Sequence, residues 1–182
     1  MNKLEKLNLL KIVKNTYDIC RFYFKYDLNY WYFYVLDVSE KFVLGIEEDD
    51  FMLDGFQIRK ISDIKKLEKR NDLTIEINKK HQILNNLIIP NLDLSSWKSI
   101  FVSLKKIDRY IIVENEDLDE EENEFAIGKI VEVNNSSITF RDFDADGIWS
   151  EKLTTIPFKW ITSVTFNDRY SKTWESFLEE NK

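Results

Sequence analysis

One order of elements, a short amphipathic helix followed by several β-strands, is written twice along this chain, and that repetition constrains the fold more than any single motif does. The second half shows it best. Ser96 stands before Trp97, Ile100, Phe101, Leu104 and Ile107, apolar residues at helical spacing behind a hydroxyl suited to capping the first turn. From Tyr110 to Val113 the chain turns β-branched and aromatic. Two further runs of that kind, 127–133 and 138–140, flank the turn residues Asn134-Asn135-Ser136. After Asp146-Gly147 an extended stretch is expected to reach Ile156. Pro157 interrupts it, 158–166 continues it, and a last helix is expected over about 171–180.

The first half follows in the same order. Leu7, Leu10, Val13 and Tyr17 form a helical stripe, and 19–26, 30–38 and 42–46 read as strands, with Ser39-Glu40-Lys41 as a turn. Leu36, Val38 and Val43 lie 95 positions before Val131, Val133 and Ile138, and Ile61, Ile64 and Leu67 lie 97 before Phe158, Ile161 and Val164. Few residues are identical; what recurs is the placing of apolar side chains. The 182 residues suit one sizeable domain or two small ones, and 43% hydrophobic residues are ample for cores. The expectation is a mainly β, α+β chain of two tandem lobes, 1–90 and 91–182, each a helix plus five strands.

Charge is unevenly placed. Glu114 to Glu124 holds eight acidic residues and no basic one, and without them the formal charge of −7 becomes +1. This segment is expected to be a solvated loop whose Glu116, Asp117, Asp119, Glu120, Glu121, Glu122 and Glu124 dock on a basic protein partner and speed its association electrostatically. An alternative is single-stranded RNA binding, with Lys65, Lys66, Lys69 and Arg70 on phosphate and aromatic side chains stacking on bases. The overall pI near 4.9 weighs against it. Tyr30-Trp31-Tyr32-Phe33-Tyr34 sends alternate rings to opposite faces of a strand, one for the core and one for a partner or a second lobe.

Asp142-Phe143-Asp144-Ala145-Asp146-Gly147 reads as the first half of a calcium loop, since alternating carboxylates can converge on a hard cation. The second half is missing: Leu153 stands where a bidentate Glu is needed, and Glu151 comes two places early. An Asp-Gly hairpin turn is therefore the expected role. The alternative is Ca²⁺ or another divalent cation on Asp142, Asp144 and Asp146, and with it a metal-dependent hydrolase. His81 is the only histidine, is expected near the start of a helix, and has no nucleophile signature to serve. Cys20 lies in an aromatic strand as a small buried thiol, and a single cysteine forms no internal disulfide. No cofactor is expected. The first residues lack the apolar run of a secretion signal and no segment is long enough to span a bilayer, so a soluble cytoplasmic protein is expected, away from membranes.

A helix followed by five short, bent strands resembles the Sm-like and SH3-like small β-barrels, here in tandem. The resemblance covers most of the chain and implies a barrel in each lobe. An Sm-like RNA site would set an Asp and an Asn after Gly128 near Asn134 and Ile138, and an Arg-Gly step near Pro157-Phe158; these departures bear on the RNA pocket rather than on the barrel. The stretch from Asp142 to Tyr170 also looks like the C-terminal signature of uncharacterised bacterial proteins, which carry no assigned activity. The sequence therefore points to a non-enzymatic protein that works by binding a macromolecule.

Overall fold

The computed structural model describes residues 1–116 and 124–180 and divides the chain into two compact units, Met1–Asn91 and Leu92–Lys182. In the N-terminal unit, helix α1 (Lys3–Thr16) starts from a capping box in which Asn2 and Glu5 satisfy each other's backbone amides. It stops at Tyr17, which turns left-handed at φ 51° and bonds its N–H to the Val13 carbonyl. Strands β1 (Ile19–Phe24), β2 (Trp31–Val38), β3 (Phe42–Asp49) and β4 (Met52–Lys60) follow. A 3₁₀ turn (Ile61–Asp63), β5 (Ile64–Lys69) and helix α2 (Leu73–His81) complete the unit.

Its strands pair antiparallel in the order β5-β1-β2-β3-β4. Laid flat, that order would hold β4 and β5 four strand spacings apart, about 19 Å. The turn between them, Lys60 to Ile64, reaches at most about 14 Å, so the sheet has to curl. Alternation then sends Cys20, Phe22, Phe24, Phe33, Val35 and Val43 to the inner face, where Leu10 and Val13 of α1 and Ile61, Ile64 and Leu67 close the core. Each such side chain contributes about 1.5–3 kcal/mol when fully buried.

The C-terminal unit runs α3 (Trp97–Ile107), β6 (Ile111–Asn115), β7 (Glu124–Val133), β8 (Ser137–Asp142), β9 (Thr154–Pro157), β10 (Ser163–Phe166) and α4 (Arg169–Glu180). Ser96 and Ser99 form the capping box of α3, which buries Trp97, Ile100, Phe101 and Leu104. The strand order is β10-β6-β7-β8-β9, and the ladders of the two units share their registers. Cys20 faces Phe33 and Lys69 as Ile111 faces Gly128 and Phe166. Val38 faces Val43 as Val133 faces Ile138, and the ladder slips at Leu36 in one unit and at Val131 in the other, 95 positions on. Arg59 faces Val43 as Ile156 faces Ile138, 97 positions on. Even isolated backbone bonds recur: Ser39 N–H to the Phe42 carbonyl and Asn134 N–H to the Ser137 carbonyl are both 2.9 Å.

The expected α+β class is what the structure contains. Closed barrels are not: β5 pairs with β1 and β10 with β6, but among the described residues no ladder joins β4 to β5 or β9 to β10. The extended stretch expected from Gly147 to Ile156 is shortened to Thr154–Pro157, since residues 143–149 fold into a turn closed by a Phe143–Trp149 bridge. Pro157 ends β9 opposite Ser137 rather than interrupting a longer strand. His81 closes α2 instead of opening a helix, because Asp72 caps the start of α2 at Thr74 and Gln82 ends it at φ 53°. Among the described residues no helix is long and apolar enough to cross a membrane.

Glycine positions show how tightly the sheets are built. A Cβ on Gly45 would sit 3.2 Å from Phe33 Cδ1, and one on Gly128 only 2.0 Å from the Arg141 carbonyl oxygen. Backbone cannot yield as a side chain does, so Gly128→Ala should destabilise the protein by roughly 2–3 kcal/mol. Calorimetry should register a loss of about 5–10 °C in Tm; an unchanged Tm would contradict the close approach of β7 to β8.

Candidate binding cavity

The inner face of the N-terminal sheet is filled. Phe22 lies 5.7 Å from Phe24 and 5.4 Å edge-on from Phe33. Arg59, 4% exposed, places its guanidinium 4.4 Å from the Phe24 ring centroid and donates from Nε to Gln57 Oε1 at 3.1 Å. A buried cation over an aromatic face gains from the ring quadrupole where water cannot compete. Only about 10 Å³ stays open among Phe22, Phe24, Phe33, Gln57 and Arg59.

The same register positions in the C-terminal unit carry smaller side chains. Val113 stands where Phe22 does, Asn115 for Phe24, Gly128 for Phe33, Thr154 for Gln57 and Ile156 for Arg59. Phe140 stands where Gly45 does, but it does not make up the lost volume. A cavity of about 480 Å³ remains, walled by Val113, Asn115, Ala126, Asp142, Ile156 and Trp160, with Phe125 at the margin. That volume lies in the range of small-ligand sites, roughly 300–1,000 Å³.

Two acidic residues, Glu114 and Asp142, belong to this wall, and the carboxylate of Asp142 is held by hydroxyls. Its Oδ2 accepts from Ser150 Oγ at 3.0 Å and its Oδ1 from Thr154 Oγ1 at 2.9 Å, and among the described residues no lysine or arginine pairs with it. Two hydroxyls fix the carboxylate without neutralising it. The arrangement of the Asp142 carboxylate with Glu114 nearby, a buried amide at Asn115 and Trp160 in the wall suits a group that is positively charged, donates hydrogen bonds and has an apolar or planar body.

The other sequence candidates fall elsewhere. Asp144 does not aim at a cation: its Oδ1 accepts from the backbone N–H groups of Asp146 (3.0 Å) and Ile148 (2.9 Å), the pattern of an Asx turn. Asp146 is exposed, and no group of three or more His, Cys, Asp or Glu among the described residues is placed to hold a metal ion. Asp142, Asp144 and Asp146 are thus near in sequence and separate in role. In the basic stretch, Lys66 pairs with Glu68 (2.7 Å), Lys69 with Asp18 (2.7 Å) and Arg70 with Glu48 (3.1 Å), while Lys65 is exposed on β5. Three of the four cations already have carboxylates. Of the acidic candidates, Asp117, Asp119, Glu120, Glu121 and Glu122 lie outside the described residues, as does the side chain of Glu124; Glu116 accepts from Thr162 Oγ1 at 2.8 Å.

Two features went unseen in the sequence. Glu48, buried on β3, accepts from Arg70 (3.1 Å), from Asn78 Nδ2 (3.2 Å) and from the Phe51 N–H (3.0 Å), which ties α2 and the end of β5 to the sheet. On the solvent side of β1 and β2, Arg21 lies 5.3 and 5.6 Å from the rings of Tyr30 and Tyr32, which meet each other edge-on, while Tyr34 of the same alternate set is buried and accepts from Asn78 of α2. The cavity had a signal too: laying β1 against β6 at the spacing of the helix ends Tyr17 and Asp108 would have set Phe22 and Phe24 beside Val113 and Asn115.

No family model matches the chain, and neither a curated protein nor a solved structure matches it.

Two groups in the N-terminal unit give direct tests of its packing. Burial would raise the Asp18 pKa, but its bonds to Lys69 and the Thr16 hydroxyl, and the charges of Lys69 and Lys79, outweigh that and hold it below the ordinary value. A depressed carboxylate stabilises fully above its unfolded pKa, and the gain is lost as pH falls through the folded one. Urea midpoints taken from pH 6 down to pH 2 should therefore fall less steeply in Asp18→Asn than in the wild type; parallel curves would contradict the assignment. Burial pushes the Cys20 thiol up to about 12, so a disulfide reagent at pH 8 should leave it unlabelled in the native protein and label it in denaturant.

Proposed function

We propose that the chain is a non-enzymatic binding protein of two Sm-like/SH3-like units, in which the C-terminal unit recognises a basic segment of a protein partner. The observation that carries this reading is the cavity beside Asp142, open where the N-terminal sheet is filled. Its position supports the same conclusion. Val113 and Asn115 of β6 and Ala126 of β7 line the cavity, and the link between these two strands is the acidic stretch that begins at Glu116. Thr162 holds the Glu116 carboxylate at 2.8 Å, which anchors the start of that link at the end of β6. A stretch so rich in carboxylates raises the local concentration of cationic segments and speeds their arrival.

The small-barrel part of the proposal rests on the curled β5-β1-β2-β3-β4 order and its register-matched counterpart in the second unit. The RNA reading is weaker because Lys66, Lys69 and Arg70 are neutralised within the chain.

Calorimetric titration of the purified protein with a Lys/Arg-rich decapeptide, and separately with an oligouridylate, tests the proposal. Saturable peptide binding that weakens with added salt is expected, with roughly tenfold lower affinity in Asp142→Asn, about 1.4 kcal/mol for one charge-assisted contact. Oligouridylate binding without peptide binding would overturn it.

A further inference from the structure

We infer that the cavity of the C-terminal unit receives the guanidinium of an arginine side chain from the basic partner, an assignment that rests on the function proposed above. The N-terminal unit shows what this inner face holds when it is occupied. There the occupant is Arg59, from β4 of the same unit, buried over Phe24 and bonded to Gln57. Glu47, opposite Phe33, stands at the carboxylate position that Asp142 takes opposite Gly128. The second unit keeps that carboxylate and lacks the arginine, since Ile156 stands at the position of Arg59. It also lacks Phe22 and Phe24, replaced by Val113 and Asn115, which line the cavity, and so gains the room for a side chain that enters from outside.

Arginine fits this site better than lysine for three reasons. Its planar fork can bond both oxygens of a carboxylate that Ser150 and Thr154 already hold in one orientation. It is weakly hydrated and loses less than an ammonium on entering a partly apolar cavity, where Val113 and Ile156 stand among the polar groups. It also stacks on aromatic faces, and Trp160 supplies one at the wall. A lysine ammonium would answer the charge of Asp142 but not the shape around it.

The test compares three arms with the full chain. A decapeptide whose cations are all arginine, its all-lysine twin, and free arginine are titrated by calorimetry at matched ionic strength. The arginine peptide is expected to bind at least tenfold more tightly than the lysine peptide, and free arginine at millimolar concentration to compete with it. Ile156→Arg, which restores the residue of the N-terminal unit, is expected to occupy the cavity from within, abolish the arginine preference and raise Tm. Should that variant fail to fold, Asp142→Asn, whose side-chain oxygen still accepts from one hydroxyl, is expected to bring the two peptides to within about twofold of each other. Equal affinity of the two peptides for the wild type would overturn the arginine assignment and leave the basic-partner reading standing. Binding of neither would overturn both, and tighter binding of free arginine than of the peptide would replace a protein partner with a small guanidinium ligand.

Discussion

A three-residue turn governs the N-terminal unit. Because Ile61–Asp63 joins β4 directly to β5, while β5 has to pair with β1 at the other end of the order, the sheet curls and acquires an inside. An inside has a volume that something must occupy. Three phenylalanines and an arginine do so, and helix α1, through Leu10 and Val13, covers what they leave open. The register-matched second sheet has smaller side chains at those positions, and its cavity lies among them and the loop residues Trp160 and Ile161.

The polar groups divide between those that complete the fold and those that stay available. Glu48, Asp18 and Asp72 each hold a cation of the β5–α2 region, so the most basic stretch of the chain is spent on docking α2 and fixing β5. Asp144 is spent on its own turn, and Gly147 beneath it accepts the approach of Trp174 and Leu178 from α4. Asp142 differs, since its partners are hydroxyls and its charge is unanswered among the described residues. A carboxylate held by hydroxyls beside an open cavity keeps its charge available to a cationic ligand.

Much of the fold was legible because it rests on local periodicity. The α3 stripe and its Ser96 cap, the β2–β3 and β7–β8 hairpins and the 95-residue spacing between them needed only apolar spacing and turn residues. What escaped depends on partners distant in sequence. Nothing near His81 announces that Asp72 starts the helix it ends, and the open ladders follow from where β5 and β10 pair. The candidate site was the least legible part. The sequence draws the eye to Asp144 and Lys69, whose charges are consumed within the chain. The cavity is instead marked by what is small, Val113 and Asn115, and smallness stands out only beside Phe22 and Phe24 in the matched register.

Gly45 beside Phe33 in one hairpin, and Gly128 with Phe140 at the exchanged positions in the other, have a consequence for how the two halves can change. Large and small have traded strands. Copying β2 alone over β7 would bring two phenylalanine rings to positions where each sheet has room for one, and copying β7 over β2 would set glycine beside glycine and hollow the first core. Sequence can pass between the halves only as a whole hairpin, so the filled interior and the open one are locked against blending into each other one strand at a time.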